Sequence, residues 1–391
     1  GECIRVCPHH AKKARYDHLS VLEGWKYKIA IPAPALFGQF NNLDDIDIVL
    51  TGLKQMGFDD VYEVSRGAEL VSDATRKLMA DGRLPKPVIS SACPAVVRLI
   101  RVRFPDLCDH VLNLNAPMEV SAMMAKRAAS ERTGIPIEEI GAFFITPCPA
   151  KVTDIKMPIG TEGSWCDGAI AISEVFPLLS HRMDKLETVE PIGQSGLIGV
   201  SWAGSGGESA ALLNEKYLAA DGIENVIRVL EELEDERIRE LDFVELNACS
   251  GGCVGGVLCV ENGYVAKARL QRLRKYLPVS QNHLDGGVPR DMEWTEPLEF
   301  APVLKLSQNL EEAMQMMEEI DMICEGLPGL DCGSCGAPSC RALAEDVVRG
   351  AARTSDCVFV MREQVKNVAD TLSSIGGYVP SYLDSKEKQG N

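Results

Sequence analysis

The stretch "ELNACSGGCVGG", residues 245–256, sets Cys249 and Cys253 three residues apart among four glycines, directly after an apolar run. Two more thiols stand in the same kind of place: Cys93 ends "VISSAC" and Cys148 ends "FFITPC", and each is followed by a proline, Pro94 or Pro149. Thiolates are ligands for soft metals and iron-sulfur clusters. Four of them at strand ends suit a zinc ion, a plain 4Fe-4S cluster or a composite metal site. Proline has a fixed φ and no N–H, which suits the first residue of a helix. Cys93 and Cys148 are therefore expected at helix N-termini, whose dipoles favour a thiolate and an anionic cluster.

Two further cysteine groups flank these. "DCGSCGAPSCRALAEDVVRGAARTSDC" holds Cys332, Cys335, Cys340 and Cys357: two thiols separated by two residues, a third after a Gly/Pro turn and a fourth after a helix. That spacing fits the corners of a 4Fe-4S cube, with structural zinc as the alternative. At the other end, "GECIRVCPHHAKKA" places Pro8 after Cys3 and Cys7, as in the second half of a bacterial ferredoxin run. The chain opens inside this motif without a methionine, so it is expected to be a fragment. The remaining thiols, Cys108, Cys166, Cys259 and Cys324, are expected in the core, and His9 and His10 in solvent.

The elements that must position these groups alternate. "KYKIAIP" is strand-like, and Ile46, Val49, Leu50, Leu53 and Met56 then recur at helical spacing. "DDVYEVS" is a strand and "AELVSDATRKLMADG" a helix with a terminal glycine. "KPVISSAC", "GAFFITPC" and "DFVELNAC" are three further short strands, each delivering a cysteine at its carboxyl end. The pattern predicts an α/β fold with a mostly parallel sheet, and in open sheets of that kind ligands bind at the carboxyl edge.

Composition narrows the class. Of 391 residues, 46% are hydrophobic and fourteen are cysteines, and the net charge is −17. So acidic a chain is unsuited to binding a phosphate backbone. No apolar run reaches the roughly 18 to 20 residues of a membrane span, and no signal peptide opens the chain. The expected location is the cytoplasm, where many cysteines mean metal ligation rather than disulfides.

"SSACPAVVRLI", "TPCPAKVTDIK" and "ELNACSGGCVGG", supported by "GFDDVYEVSRGAEL" and "VSWAGSGGESA", resemble the signature segments of the iron-iron hydrogenases over about residues 25–260. The resemblance implies an H-cluster. Cys93, Cys148, Cys249 and Cys253 would ligate a 4Fe-4S cubane, and Cys253 would bridge to a two-iron subsite carrying carbon monoxide, cyanide and a dithiolate. Lys151 would donate a hydrogen bond to a cyanide ligand. Pro34 and Ala35 of "PAPALFGQF" would line the diiron pocket. Gly251, Gly252, Gly255 and Gly256 would leave room for that unit, and Thr146 and Asn247 would stand where pocket methionines are usual. Implied partners are H2 and protons, a ferredoxin-type redox partner and the hydrogenase maturation proteins.

Three departures from the family pattern bear on function. Ala92 stands where hydrogen-producing members carry a proton-relaying cysteine, and Thr75 and Leu78 stand where carboxylates continue the proton path. Together with the C-terminal cysteine group, they resemble the sensory branch, in which H2 binding is relayed to a signalling module such as a PAS domain. The expected organisation is a ferredoxin-like remnant over 1–20, an H-cluster domain over 21–317, a C-terminal 4Fe-4S domain over 318–365 and a linker over 366–391; homodimerisation is a further expectation. The leading reading is slow, reversible H2 oxidation and proton reduction coupled to sensing. The rivals are a non-catalytic hydrogenase-like iron-sulfur carrier of the cluster-assembly type and a ferredoxin-like electron conduit.

Overall fold

The structure is a computed structural model and describes residues 1–9, 11–301, 306–307 and 309–376. Its strands are β1 (Tyr27–Pro32), β2 (Asp60–Val61), β3 (Val88–Ile89), β4 (Ile140–Thr146), β5 (Gly168–Ala171), β6 (Tyr217–Asp221) and β7 (Phe243–Asn247). All named pairings are parallel, as the alternation predicts, but they form two sheets rather than one: β2-β1-β4-β5 and β3-β7-β6.

A buried helix explains the division. Pro117–Thr133 carries apolar residues on two sides. Met118, Ala122 and Ala125 pack with Ile29, Ile31 and Phe144 of the larger sheet, while Val120 and Met123 pack with Val88 and Phe243 of the smaller one. A helix that buries two faces joins two layers by side-chain packing, where hydrogen bonding would otherwise have to join strands. The sequence shows this helix only as a stretch of weak one-sided periodicity.

The chain divides into two compact units, one of Gly1–Val6 and Lys13–Pro302, the other of Cys7–Lys12 and Val303–Asn391. The helix Leu310–Gly326 crosses the boundary expected at 318 and belongs wholly to the second unit, where Ile320 is buried with Leu343, Ala344 and Cys357. The helix Val358–Gly376 likewise continues past residue 365 into the expected linker. The tail from 377 onward lies outside the described residues, as does His10; His9 is exposed. Among the described residues, no helix is long and apolar enough to cross a membrane.

Candidate metal centre

Cys93 follows β3 and is the N-cap of the helix Pro94–Arg103; Cys148 follows β4 and is the N-cap of Pro149–Lys156. Both prolines occupy first-turn positions, as predicted. Two backbone N–H groups of the second helix, on Ala150 and Lys151, point at the Cys148 sulfur and favour its thiolate. Thr146 acts behind this cysteine: its hydroxyl accepts the Cys148 N–H at 3.0 Å and is itself buried. It is absent from the lining of the pocket described next and braces the Cys148 turn.

Cys249 and Cys253 follow β7 in a turn held on three sides. Gly251 N–H donates to Asp221 Oδ1 at 3.0 Å, Ser205 N–H to the Gly251 carbonyl at 3.1 Å and Val254 N–H to the Ala203 carbonyl at 3.0 Å. Gly251 and Gly252 have φ of +83° and +92°, a region glycine enters without penalty. The glycines were expected to clear space for a cofactor, but their closest constraints lie elsewhere. A Cβ on Gly256 would sit 2.2 Å from the Pro147 carbonyl oxygen, one on Gly255 2.1 Å from that of Ser250, and one on Gly252 2.4 Å from the Ser205 nitrogen. They let the cysteine turn close onto neighbouring backbone. Gly252 and Gly256 also line the pocket; Gly251 and Gly255 do not.

One pocket in the first unit is lined by all four cysteines, with Pro34, Ala35, Ala92, Lys151 and Asn247. It takes residues from the carboxyl ends of both sheets. Burial pushes the thiols of Cys148 and Cys253 up and that of Cys249 to about 12. Their mutual repulsion adds to this: Cys93 acts on Cys148, both act on Cys249, and all three act on Cys253. Such thiols stay protonated until a metal displaces the protons. Cys259, expected in the core, lies beside the group; it is raised to about 12 by burial and then by the charge of Cys249.

Among the described residues, no three His, Cys, Asp or Glu side chains converge as ligands of a single metal ion. The four-cysteine lining nevertheless fits a cubane, which takes one thiolate at each of four separated irons. The lining is otherwise dominated by apolar groups, and Lys151 supplies a cation. Its ammonium donates to the Ala92 carbonyl at 3.0 Å, which leaves further N–H groups for an anion in the pocket.

Two lining residues were not singled out from sequence: Glu208 and Glu245, both buried. Ser90 Oγ donates to Glu208 at 2.7 Å and accepts the Ala92 N–H at 3.1 Å. Glu245 accepts N–H groups of Gly206 and Ser209, each at 2.9 Å, and the Asn247 side-chain amide at 2.8 Å. Burial, followed by the Glu245 charge, holds the Glu208 carboxyl well above its ordinary range; burial also raises Glu245, against the pull of the Ser209 and Gly206 amides. The signal was available: Glu245 stands inside the strand "FVELN", whose neighbours Phe243, Val244 and Leu246 are all core residues.

The second unit has its own thiol site. Cys332, Cys335, Cys340 and Cys357 line one small pocket with Leu343 and Phe359. Asp331 accepts the Cys340 N–H at 2.6 Å, and Ser339 caps the helix Cys340–Val348. Hydrogen bonding from Ser334 pulls the exposed Cys332 thiol below its ordinary value. In the segment Cys7–Lys12, the N–H groups of Ala11, His9 and Lys12 do the same for Cys7. Cys3 is exposed on the helix Glu2–Arg5 of the other unit.

The fold matches that of solved structures. A variant of the FeFe-hydrogenase HydA1 from Chlamydomonas reinhardtii aligns with TM-score 0.55 at 17% identity, covering 69% of this chain and 94% of that one. The structure of HydA(deltaEFG), which reveals stepwise H-cluster assembly in an FeFe-hydrogenase, aligns with TM-score 0.53 at 18% identity, covering 70% of this chain and 94% of that one. The family model "Iron only hydrogenase large subunit, C-terminal domain" matches residues 26–217 and 208–257, and the chain belongs to that family. A second model, "Putative Fe-S cluster", matches residues 327–359. Iron-sulfur cluster binding is thus supported by both family models.

Among curated relatives, the NADP-reducing hydrogenase subunit HndD of Solidesulfovibrio fructosivorans is 22% identical over 325 residues, 66% of this chain and 54% of that protein. Iron hydrogenase 1 of Clostridium pasteurianum is 20% identical over 267 residues, 56% and 46%. A cytosolic Fe-S cluster assembly factor, nar1 of Aspergillus terreus, is 29% identical over 99 residues, 25% and 16%. The chain spans about half the length of the two hydrogenases.

Proposed function

We propose that this chain is an H-cluster hydrogenase of the sensory kind, which interconverts H2 with protons and electrons slowly and passes the electrons through a C-terminal 4Fe-4S cluster. The observation that carries this reading is the pocket lining: four cysteines, Lys151 and Ala92 face one cavity. Cys93, Cys148, Cys249 and Cys253 would hold the cubane, with Cys253 also bridging to the two-iron unit. Cys332, Cys335, Cys340 and Cys357 would hold the second cluster. When bound, the H-cluster supplies the heterolysis of H2; the protein supplies position and electrostatics.

The chain's own residues account for the slow rate. Lys151, oriented by the Ala92 carbonyl, presents its charge to an anionic ligand. The Ala92 methyl carries no exchangeable proton, and the Thr75 hydroxyl donates back to the Val71 carbonyl at 2.8 Å in its own helix. The lining carboxyls that could hold a proton in this pocket are Glu208, joined to the Ala92 N–H through Ser90, and Glu245, which accepts from the Asn247 amide. They would do so poorly from fully enclosed positions. Electron partners of ferredoxin type, maturation proteins and a PAS-type module belong to the same proposal.

The likeness to nar1 favours a second reading, a non-catalytic iron-sulfur carrier. An infrared spectrum of the matured chain separates the two: metal-bound carbon monoxide and cyanide bands are expected for the hydrogenase, and their absence after maturation overturns it. With those bands present, Ala92→Cys should raise hydrogen evolution modestly, and Ala92→Cys/Thr75→Glu/Leu78→Glu further. A positioned acid-base group contributes about a hundredfold or more when it completes a path. A wild type already as fast as a proton-relaying hydrogenase would remove the basis for the sensory assignment.

A further inference from the structure

The helix Val358–Gly376 has a feature that the metal chemistry does not use. Val358, Met361, Val365, Val368 and Leu372 follow one another at spacings of three, four, three and four, and each is between 45% and 63% exposed. Every residue from Met361 to Ser374 is exposed, so these side chains form an uncovered apolar stripe along the helix. The period is the 3.5 of a coiled-coil seam, with Val358 and Val365 at a positions and Met361 and Val368 at d positions. A helix whose residues from Met361 to Ser374 have no packed face is marginal in water there, and Val365, Asn367, Val368, Asp370 and Thr371 are weak helix formers. A partner helix supplies what the sequence lacks.

We propose that this helix pairs in parallel with the same helix of a second copy of the chain. Charge favours self-association at this place. In a chain of net charge −17, this helix balances Arg362 and Lys366 against Glu363 and Asp370. Both acids fall at f positions, farthest from the seam, and Lys366 at b. The e and g positions hold Arg362, Gln364, Ala369 and Thr371, so a parallel pair brings no like charges together across the seam. Fewer than three heptads bury less than the roughly 1,200 Å² of a stable interface. The dimer is therefore concentration-dependent.

The test is anaerobic sedimentation velocity on the full chain with its clusters loaded, over a concentration series from about 1 to about 100 μM, the range of a weak complex. The expected result is a mass rising toward twice that of the chain. Val365→Glu/Val368→Glu, at exposed positions and with a good helix former, should weaken association at least about tenfold. Asn367→Glu/Ser374→Glu adds the same charge at c positions and should leave association unchanged. A wild type that stays monomeric throughout overturns the proposal, as does a dimer that the seam variant leaves intact. A monomer that instead floats with phosphatidylglycerol vesicles would assign the stripe to a lipid surface and overturn it equally.

Discussion

Cys332, Cys335, Cys340 and Cys357 are neighbours in sequence, and local turns and one short helix bring them to a common pocket. Cys93, Cys148, Cys249 and Cys253 come from two sheets and reach theirs only when the whole first unit is folded. The electrostatics divide in the same way: burial drives the thiols of Cys148, Cys249 and Cys253 up, while the exposed Cys332 is held down by its neighbour Ser334. A ligand set built by tertiary structure can enclose its metal and control what reaches it. One built by local spacing leaves its metal near the surface, which suits electron exchange.

The comparison breaks first at the cysteines. Cys253→Ala should abolish the carbon monoxide and cyanide infrared bands, since its sulfur is the proposed protein link to the diiron unit, while the iron of the second site is retained. If Cys335→Ser/Cys340→Ser removed those bands as well, the two sites would not be independent. The expected outcome is instead a loss of about four irons per chain, one cube, with the pocket bands unchanged.

A smaller effect tests how the enclosed site is built. In Gly256→Ala the new methyl meets the Pro147 carbonyl oxygen at 2.2 Å, and the expected cost is about 2 to 4 kcal/mol in urea unfolding of the apo chain. Gly251 has open space around its would-be Cβ but a φ of +83°, so Gly251→Ala should cost only about 1 to 2 kcal/mol. Equal costs would mean that backbone conformation, rather than close approach, fixes the turn.

The smallest expected effect concerns pH. The folded pKa of Glu208 lies above its unfolded value, so its contribution to stability is full below the ordinary carboxylate range and is lost as pH rises through the raised value. Apo wild type should therefore lose stability from mildly acidic to mildly alkaline buffer. Glu208→Gln, which keeps a partner for Ser90, should flatten that loss. A slope identical in both proteins would show that this carboxyl is not held neutral.

The parts of this comparison legible in sequence were those that chain-local rules govern. Proline after Cys93 and Cys148 announced helix starts, and the spacing of Cys332 and Cys335 announced a shared pocket. The division into two sheets was not legible, because it depends on which faces of Pro117–Thr133 are buried, and alternation of elements is the same for one sheet or two. Glu208 escaped notice for a related reason. A glutamate in a turn-rich "GSGGESA" reads as a surface residue until Ser90, some hundred positions earlier, is found donating to it. The glycines were recognised as necessary, but only the approach of Pro147, Ser250 and Ser205 tells what they make room for.

The way the units share the chain has a consequence for modularity. The segment Cys7–Lys12 belongs with the C-terminal unit, although Gly1–Val6 before it and Lys13 after it belong with the other. A gene cut between the codons for residues 302 and 303 would therefore separate Cys7–Lys12 from the unit it groups with. Recombination that grafts the C-terminal cysteine group onto another protein would have to carry both segments. For this architecture, the heritable module is the chain that carries both units.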